Sequence, residues 1–353
     1  MIRLLTCLTA CTLALAAPRP TQAQNSGVLL GLHVSIADSG ESYRTYFIAR
    51  EGSTVRLAAS GPDLLVPRPS GFWRVCVVAD HGLSDGQLGQ WDTVIAGPAT
   101  IKRGKCAARD KAVTEAEQQG SMCSTSSTNQ ILFVASRAIS IGIDFEGDCG
   151  AHPTGDEQIA LRSLDTDSVI DFSALVEPGR SSELVAASLE AARVAYADFG
   201  IVDTVESPEY DTIPVAKLAL IRQWGVERGA GSWHAVGQMS CSPHVACGGT
   251  GRRFSIPGFA APASLVGHDG LSVPLQTIKA VFPGVRDAVS SPRGDLIVAL
   301  SDDELVAFIV RNGKLGAPAL RLPLSGRIVM AQWAVGKFVP SWTSKLGPLL
   351  GAR

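Results

Sequence analysis

Asp144, Glu146 and Asp148 stand at alternate positions, and His152 follows four residues after the last of them. On an extended strand that spacing brings three carboxylates to one face. Grouped carboxylate oxygens suit Ca2+, a hard cation that takes six to eight oxygen ligands. Gly147 and Cys149 depart from the order of a calcium loop, so the trio also fits a solvated strand face running into a loop. Two acid–histidine neighbours offer proton-transfer or metal chemistry: Asp80-His81, with Asp85 nearby, and His268-Asp269, both in Gly-containing loops. Asp80, His81 and His152 are the candidate catalytic residues, and Asp144 joins them if the loops converge. His244 lies between Cys241 and Cys247, where zinc ligation competes with a local disulfide; outside the cytoplasm the disulfide is favoured.

The familiar catalytic phrases are absent. The chain has no Gly-x-Ser-x-Gly elbow, no His-Glu-x-x-His, no phosphate loop and no dinucleotide fingerprint. This moves the expectation from hydrolases and nucleotide enzymes toward binding. One pattern does repeat: Arg50, Arg68, Arg222 and Arg311 each end an apolar stretch, with a Gly two or three residues on. Stacked radially, four such turns would line a rim and hold an anionic ligand by forked hydrogen bonds. A charge at a strand end also simply keeps the turn in water.

Met1-Ile2-Arg3 carries one positive charge, and Leu4 to Ala17 follow without any. These are the charged and apolar parts of a secretory leader, too short to cross a bilayer as a helix of about 20 apolar residues. Thr21-Gln22-Ala23 fits the small-x-small cleavage rule better than Ala14-Leu15-Ala16, because Pro18 and Pro20 then lie upstream in an extended segment. A lipid anchor at Cys11, in Leu8-Thr9-Ala10-Cys11, would leave a very short apolar stretch before it. No later segment reaches spanning length. The formal net charge of −2 becomes slightly more negative when Arg3 and Arg19 leave, which argues against nucleic-acid and anionic-membrane partners.

Cys7 and Cys11 also leave with the leader. Cys76, Cys106, Cys123, Cys149, Cys241 and Cys247 remain, and an even set in an exported chain reads as disulfides. Cys241 and Cys247 bracket a short loop containing Pro243. Cys123 and Cys149 lie almost symmetrically about a hairpin turn near Ser136, and Cys76 and Cys106 are the remainder.

The elements that must position these residues are mostly hairpins. Tyr43–Arg50 turns through Glu51-Gly52 into Thr54–Ala59, and Leu64–Arg68 turns through Pro69-Ser70-Gly71 into Phe72–Ala79. Val215–Arg222 is expected to turn into Trp233–Val236. Leu305–Arg311 turns at Asn312-Gly313, a strong hairpin signal. Within a further hairpin from Ile131 to Glu146, Ile139, Ile141, Ile143 and Phe145 point one way and Ser140, Gly142, Asp144 and Glu146 the other, which predicts one buried and one wet face. Strands are also expected at Leu296–Leu300, Leu320–Leu324, Arg327–Val335 and Phe338–Trp342. Val185, Leu189, Ala192, Tyr196 and Phe199 make the apolar stripe of one helix, stopped by Gly200. Residues 82–129 read as a polar insertion.

Residues 287–325 resemble a β-propeller blade. The resemblance is carried by Ser291-Pro292-Arg293-Gly294-Asp295, the apolar strand Leu296–Leu300, the acidic turn Ser301-Asp302-Asp303-Glu304 and the second strand closing at Asn312-Gly313. It is not of the WD40 type, since no Gly-His and Trp-Asp pair is present. It implies a mainly β fold of propeller-like antiparallel hairpin repeats, with one packed helix at about 182–199. The chain is then a leader over 1–23 followed by one β-rich domain over 24–353.

The function expected is an exported, non-enzymatic binding or scaffolding protein of the cell envelope or its surroundings. The alternative is an exported hydrolase with a metal or acid–histidine site in its loops. Cleavage after Ala23 predicts a mature chain beginning at Gln24, which intact-mass measurement of the exported protein checks; a chain starting at a lipidated Cys11 would overturn it.

Overall fold

The computed structural model describes residues 25–36, 40–84, 87–100, 109–110, 124–148, 153–171, 174–175, 183–184, 186–187, 190–191, 204–207, 210–214, 223–238 and 253–351. Its strands begin with β1 (Asn25–Ile36), β2 (Gly40–Glu51), β3 (Thr54–Pro62), β4 (Leu64–Arg68), β5 (Gly71–Ser84), β6 (Gln87–Pro98) and β7 (Arg109–Asp110). They continue with β8 (Ser124–Val134), β9 (Ala138–Asp148), β10 (Pro153–Ser163), β11 (Thr204–Ser207), β12 (Tyr210–Pro214), β13 (Trp224–Gly229) and β14 (Ser232–Gln238). The last are β15 (Arg253–Ala260), β16 (Asp287–Ser290), β17 (Leu296–Leu300), β18 (Glu304–Arg311), β19 (Lys314–Pro323) and β20 (Arg327–Val335). Three helices, α1 (Ala263–Val266), α2 (Leu275–Val281) and α3 (Phe338–Leu350), lie in the C-terminal part.

The chain is mainly β, as its alternating patterns require, and the strands sort into separate sheets. Sheet I runs β20-β1-β2-β3, so the first and last of the described strands pair. Sheet II runs β10-β9-β8-β6-β5-β4, with β7 beside β5. Sheet III is the pair β11-β12, sheet IV is β13-β14-β15 and sheet V is β16-β17-β18-β19.

This arrangement overturns the propeller expectation. The described sheets range from two to seven strands and form neither a closed barrel nor a propeller. Sheet II also contains parallel contacts, β6 with β8 and β5 with β7, which a blade built as an antiparallel meander lacks. The blade-like phrase at 287–325 does fold as a four-stranded meander, but one local meander does not dictate how sheets assemble.

Sheet V shows why its strands are apolar throughout. Leu296, Val298, Leu300, Leu305 and Ala307 enter the central hydrophobic cluster, while Ile297, Ala299, Val306, Phe308 and Val310 enter a second one with Ile278 of α2. Asn312 and Gly313 take positive φ angles of 51° and 72°, as a tight hairpin turn requires. The central cluster also collects Val28, Leu30 and Ile48 of sheet I, Phe133 and Leu161 of sheet II, and Trp224, Trp233 and Phe254 of sheet IV. Four sheets thus share one core. A third cluster joins the other face of sheet I, through Leu29, Phe47 and Met330, to Leu64, Val75 and the helix α3.

Several local expectations change. Phe338–Trp342 opens a helix instead of a strand, because Val339, Trp342, Leu346 and Leu350 fall on one helical face and pack on sheet I and its neighbours. Trp342 lies against Phe47 and Phe72, with ring centroids 6.0 and 5.4 Å away. The strand that turns into Trp233 is Trp224–Gly229, through Ala230 and Gly231 at φ 52° and 90°; Val215–Arg222 lies outside the described residues. Gln87–Pro98 and Ser124–Val134 are inner strands of sheet II, whose Val94, Ile131 and Phe133 are spread among small polar residues. Of the expected helix at 182–199, the described residues 183–184, 186–187 and 190–191 are helical, with Leu184 buried in the core. The stripe from Val185 to Phe199 lies outside the described residues.

The face of β9 expected to be wet is half covered. Ser140 and Gly142 are buried because sheet IV lies over them, and the Val226 N–H donates to Ser140 Oγ at 3.0 Å. Gly225 permits this approach: a Cβ there would collide with Ser140 Oγ and Ile159. Only from Asp144 onward does that face reach solvent among the residues whose side chains are described.

Phe308 is fully buried, whereas Asp302 is 81% exposed in an ion pair with Arg286. Phe308→Ala should therefore cost about 3–5 kcal/mol, and Asp302→Ala no more than about 1 kcal/mol. Chemical denaturation of both variants measures the difference, and equal small effects would show that sheet V is not core.

Candidate functional site

The sheets are tied to one another by arginines that reach buried aspartates. Arg50, on β2, lies 2.9 Å from Asp295 Oδ2 in the β16–β17 turn and donates to the Asp295 carbonyl at 2.8 Å. Ser26 of β1 donates to Asp295 Oδ1 at 2.7 Å, and Ser291 donates to the same oxygen. Arg228, at the end of β13, lies 2.9 Å from both Asp287 and Asp269 and donates to the Ala288 carbonyl. The Gly231 N–H donates to Asp287, and the Trp233 N–H donates to Asp269. Burial pushes the Asp287 carboxyl up, against the pull of Arg228 and of the Ala288 and Gly231 N–H groups. Arg74 holds Asp63 at 2.6 Å and the Leu349 carbonyl at 3.0 Å, fixing α3 to β5. Arg68 pairs with Asp165, donates to the Ser136 carbonyl and stacks on Trp73.

The residues singled out from the sequence are placed as follows. Arg50 and Arg68 direct their guanidinium groups to other parts of the chain, and Arg311 is exposed beside its turn. Arg222 lies outside the described residues; the arginine that closes the Trp233 hairpin is Arg228. β9 runs on to Asp148, so Asp144, Glu146 and Asp148 alternate along one strand, with Asp144 exposed opposite Glu157 and Thr128. Asp80 and His81 lie on β5, paired with Trp91 and Gln90 of β6. Asp85, His152 and His244 lie outside the described residues. Asp269 holds Arg228, while His268 is exposed. Cys76 is buried and disulfide-bonded, and Cys106, Cys123, Cys149, Cys241 and Cys247 lie outside the described residues. Among the described residues no three His, Cys, Asp or Glu side chains group as metal ligands would.

A concave site missed in the sequence lies on sheet II. A pocket of about 470 Å³ opens over Ile139, Ile141 and Ile143 of β9 and Val94 of β6. Asp92 and Asn129 form one end of it. The Asn129 backbone N–H donates to Asp92 Oδ2 at 3.1 Å, and its amide Nδ2 donates to the Asp92 carbonyl. Asn129 Oδ1 is buried with no hydrogen-bond partner. Arg162 and Asp167, 3.4 Å apart, form the other end. The isoleucine alternation was the legible signal, and register explains the rest: Asn129 pairs with Ile143 and Arg162 with Ile139. Apolar walls with a few polar groups at the ends are the general make-up of small-molecule sites.

A second group missed in the sequence is titratable. Glu227 and His234 face each other across β13 and β14, with Oε1 and Nε2 3.3 Å apart, and Arg253 Nη1 lies 4.0 Å from Glu227 Oε2. Burial acts to raise the Glu227 carboxyl. The hydrogen bond and charge of His234, with Arg253 and Arg327 behind it, outweigh burial and hold it below the usual carboxylate range. The hydrogen bond to Glu227 lifts the His234 imidazole above its usual range, against its partial burial. Placing the turn at Ala230-Gly231 is what pairs these two residues.

The pair has a pH signature. A lowered carboxyl stabilises above about pH 4.5 and loses that contribution as the pH falls through its folded value. A raised imidazole stabilises below about pH 6.5 and loses that contribution as the pH rises through its folded value. His234→Gln should thus destabilise more at pH 5.5 than at pH 8.5, by less than about 1 kcal/mol because both groups are partly solvated. Urea denaturation at the two pH values tests this, and an equal effect at both would remove the ion pair.

No family model matches this chain, and no curated protein is detectably similar to it in sequence. Among solved structures, a DUF3298 family protein from Pseudomonas aeruginosa PAO1 aligns with 13% identity over 56% of this chain and 97% of its own length. The TM-score is 0.30, and that likeness carries no argument about fold or function.

Proposed function

We propose that this chain is an exported binding protein that holds a small amphipathic ligand on sheet II. The observation that carries the reading is the pocket of about 470 Å³, in which an isoleucine floor is bounded by polar residues, Asp92 and Asn129 toward Ile143 and Arg162 and Asp167 toward Ile139. Its volume falls in the range of small-molecule sites, about 300–1,000 Å³. The ligand has an apolar body of about six carbons, which lies over Ile141 and Ile143. Its hydrogen-bond donor, an ammonium, amide or hydroxyl group, meets Asn129 beside the Asp92 carboxylate. Export is supported by the leader-like run at Leu4–Ala17 and by the disulfide at Cys76, a bond kept in oxidising compartments. No helix among the described residues is long and apolar enough to cross a membrane.

The test compares hexylamine, hexanol and hexanoate with the mature chain by thermal shift and calorimetry. Hexylamine and hexanol should raise the melting temperature by mass action, and hexanoate, repelled by Asp92, should bind more weakly. Ile143→Trp, which fills the pocket at a partly buried position, should abolish the shift. Binding that is equal for all three, or that survives this substitution, would overturn the reading.

A further inference from the structure

A second cavity, of about 560 Å³, lies where the start of β1, the end of β20 and the start of α3 meet the β16–β17 turn. It is lined by Asn25, Arg293, Val335, Gly336, Lys337, Phe338 and Pro340. Arg293 and Lys337 are exposed, and neither joins an ion pair among the described residues. Among the described residues no carboxylate lines the cavity, and the first turn of α3 contains no acidic residue. The nearest acid in sequence, Asp295, is already bound by Arg50, Ser26 and Ser291. Phe338 stands 51% exposed, with Lys337 Nζ 5.8 Å from its ring centroid. Gly336, at φ 60°, brings the chain under Arg293: a Cβ there would lie 3.4 Å from Arg293 Nη2.

Arg50, Arg74 and Arg228, by contrast, are each buried and paired with aspartate. Two uncompensated cations set beside an exposed aromatic ring and apolar walls are complementary to one kind of occupant. We propose that this cavity binds a small carboxylate with an apolar body, its anionic group between Arg293 and Lys337 and its body against Phe338, Val335 and Pro340. A guanidinium forks onto a carboxylate, whereas an ammonium acts on it as a point charge. The site is independent of the isoleucine pocket and has the opposite charge preference.

The probe is 4-phenylbutyrate, compared with the neutral 4-phenylbutan-1-ol, with affinities measured by calorimetry and by NMR shifts on the mature chain. The carboxylate should bind at least about tenfold tighter than the alcohol, the scale of one charge-assisted contact. Its affinity should weaken with added salt. Arg293→Gln combined with Lys337→Gln should remove that preference while leaving the melting temperature unchanged, since neither side chain is buried. Ile143→Trp should leave this binding intact, which separates the outcome from that of the sheet II pocket. Equal affinity for acid and alcohol, no effect of the double substitution, or no binding of either probe would each overturn the proposal.

Discussion

Sheets that share no hydrogen-bonded edge must be oriented by side chains, and here that work falls to buried arginine–aspartate contacts. The central apolar cluster draws four sheets together, but burial of hydrocarbon is not directional and would accept many packing angles. Arg50 with Asp295 fixes sheet I against sheet V, and Arg228 with Asp287 fixes sheet IV against the same sheet. Each aspartate is also met by hydroxyl or backbone N–H donors, so its desolvation is offset by several hydrogen bonds. Removing one partner from such a contact generally costs about 3–5 kcal/mol, because the other charge is left buried. The geometry is therefore specified by the polar contacts, while the hydrocarbon supplies most of the driving force.

Fixing sheet IV in this way determines what sheet II can offer. Gly225 lets β13 settle on Ser140, and Trp233 packs edge-on against Phe133, with ring centroids 4.8 Å apart. One face of β9 is thereby closed. The opposite face keeps its isoleucines under a partly open concavity, with polar groups only at its two ends. The same strand thus packs against sheet IV on one side and lines a concavity on the other.

Much of the strand pattern was legible in the residues. The turns at Gly52, Gly71 and Asn312-Gly313 and the apolar faces of sheet V stand where alternation and turn chemistry put them. Two features were hidden for physical reasons. The helix α3 begins with Phe338-Val339-Pro340, which reads equally as strand, and only the spacing of Val339, Trp342, Leu346 and Leu350 tells them apart. The pocket joins Asp92, Asn129, Ile143 and Arg162 from four strands by register, and register is set by sheet assembly, which no local pattern encodes. The turn arginines were visible as a repeat, but not their role: Arg50 and Arg68 find their aspartates far along the chain. The propeller resemblance failed for the same reason, because a blade-like meander specifies one sheet and not the company it keeps.

The pairing of β1 with β20 brings Ser26 beside Val335 and Gly27 beside Ala334. A polypeptide that emerges N-terminus first from a ribosome must therefore hold β1 half-paired until β20 has followed about 290 residues later. Contacts of such long sequence separation are slow to form. Until then β1 presents an apolar, unsatisfied edge to any neighbouring chain. Vectorial emergence thus leaves the hairpin of β1 with β2 open along one edge until β20 arrives to close it.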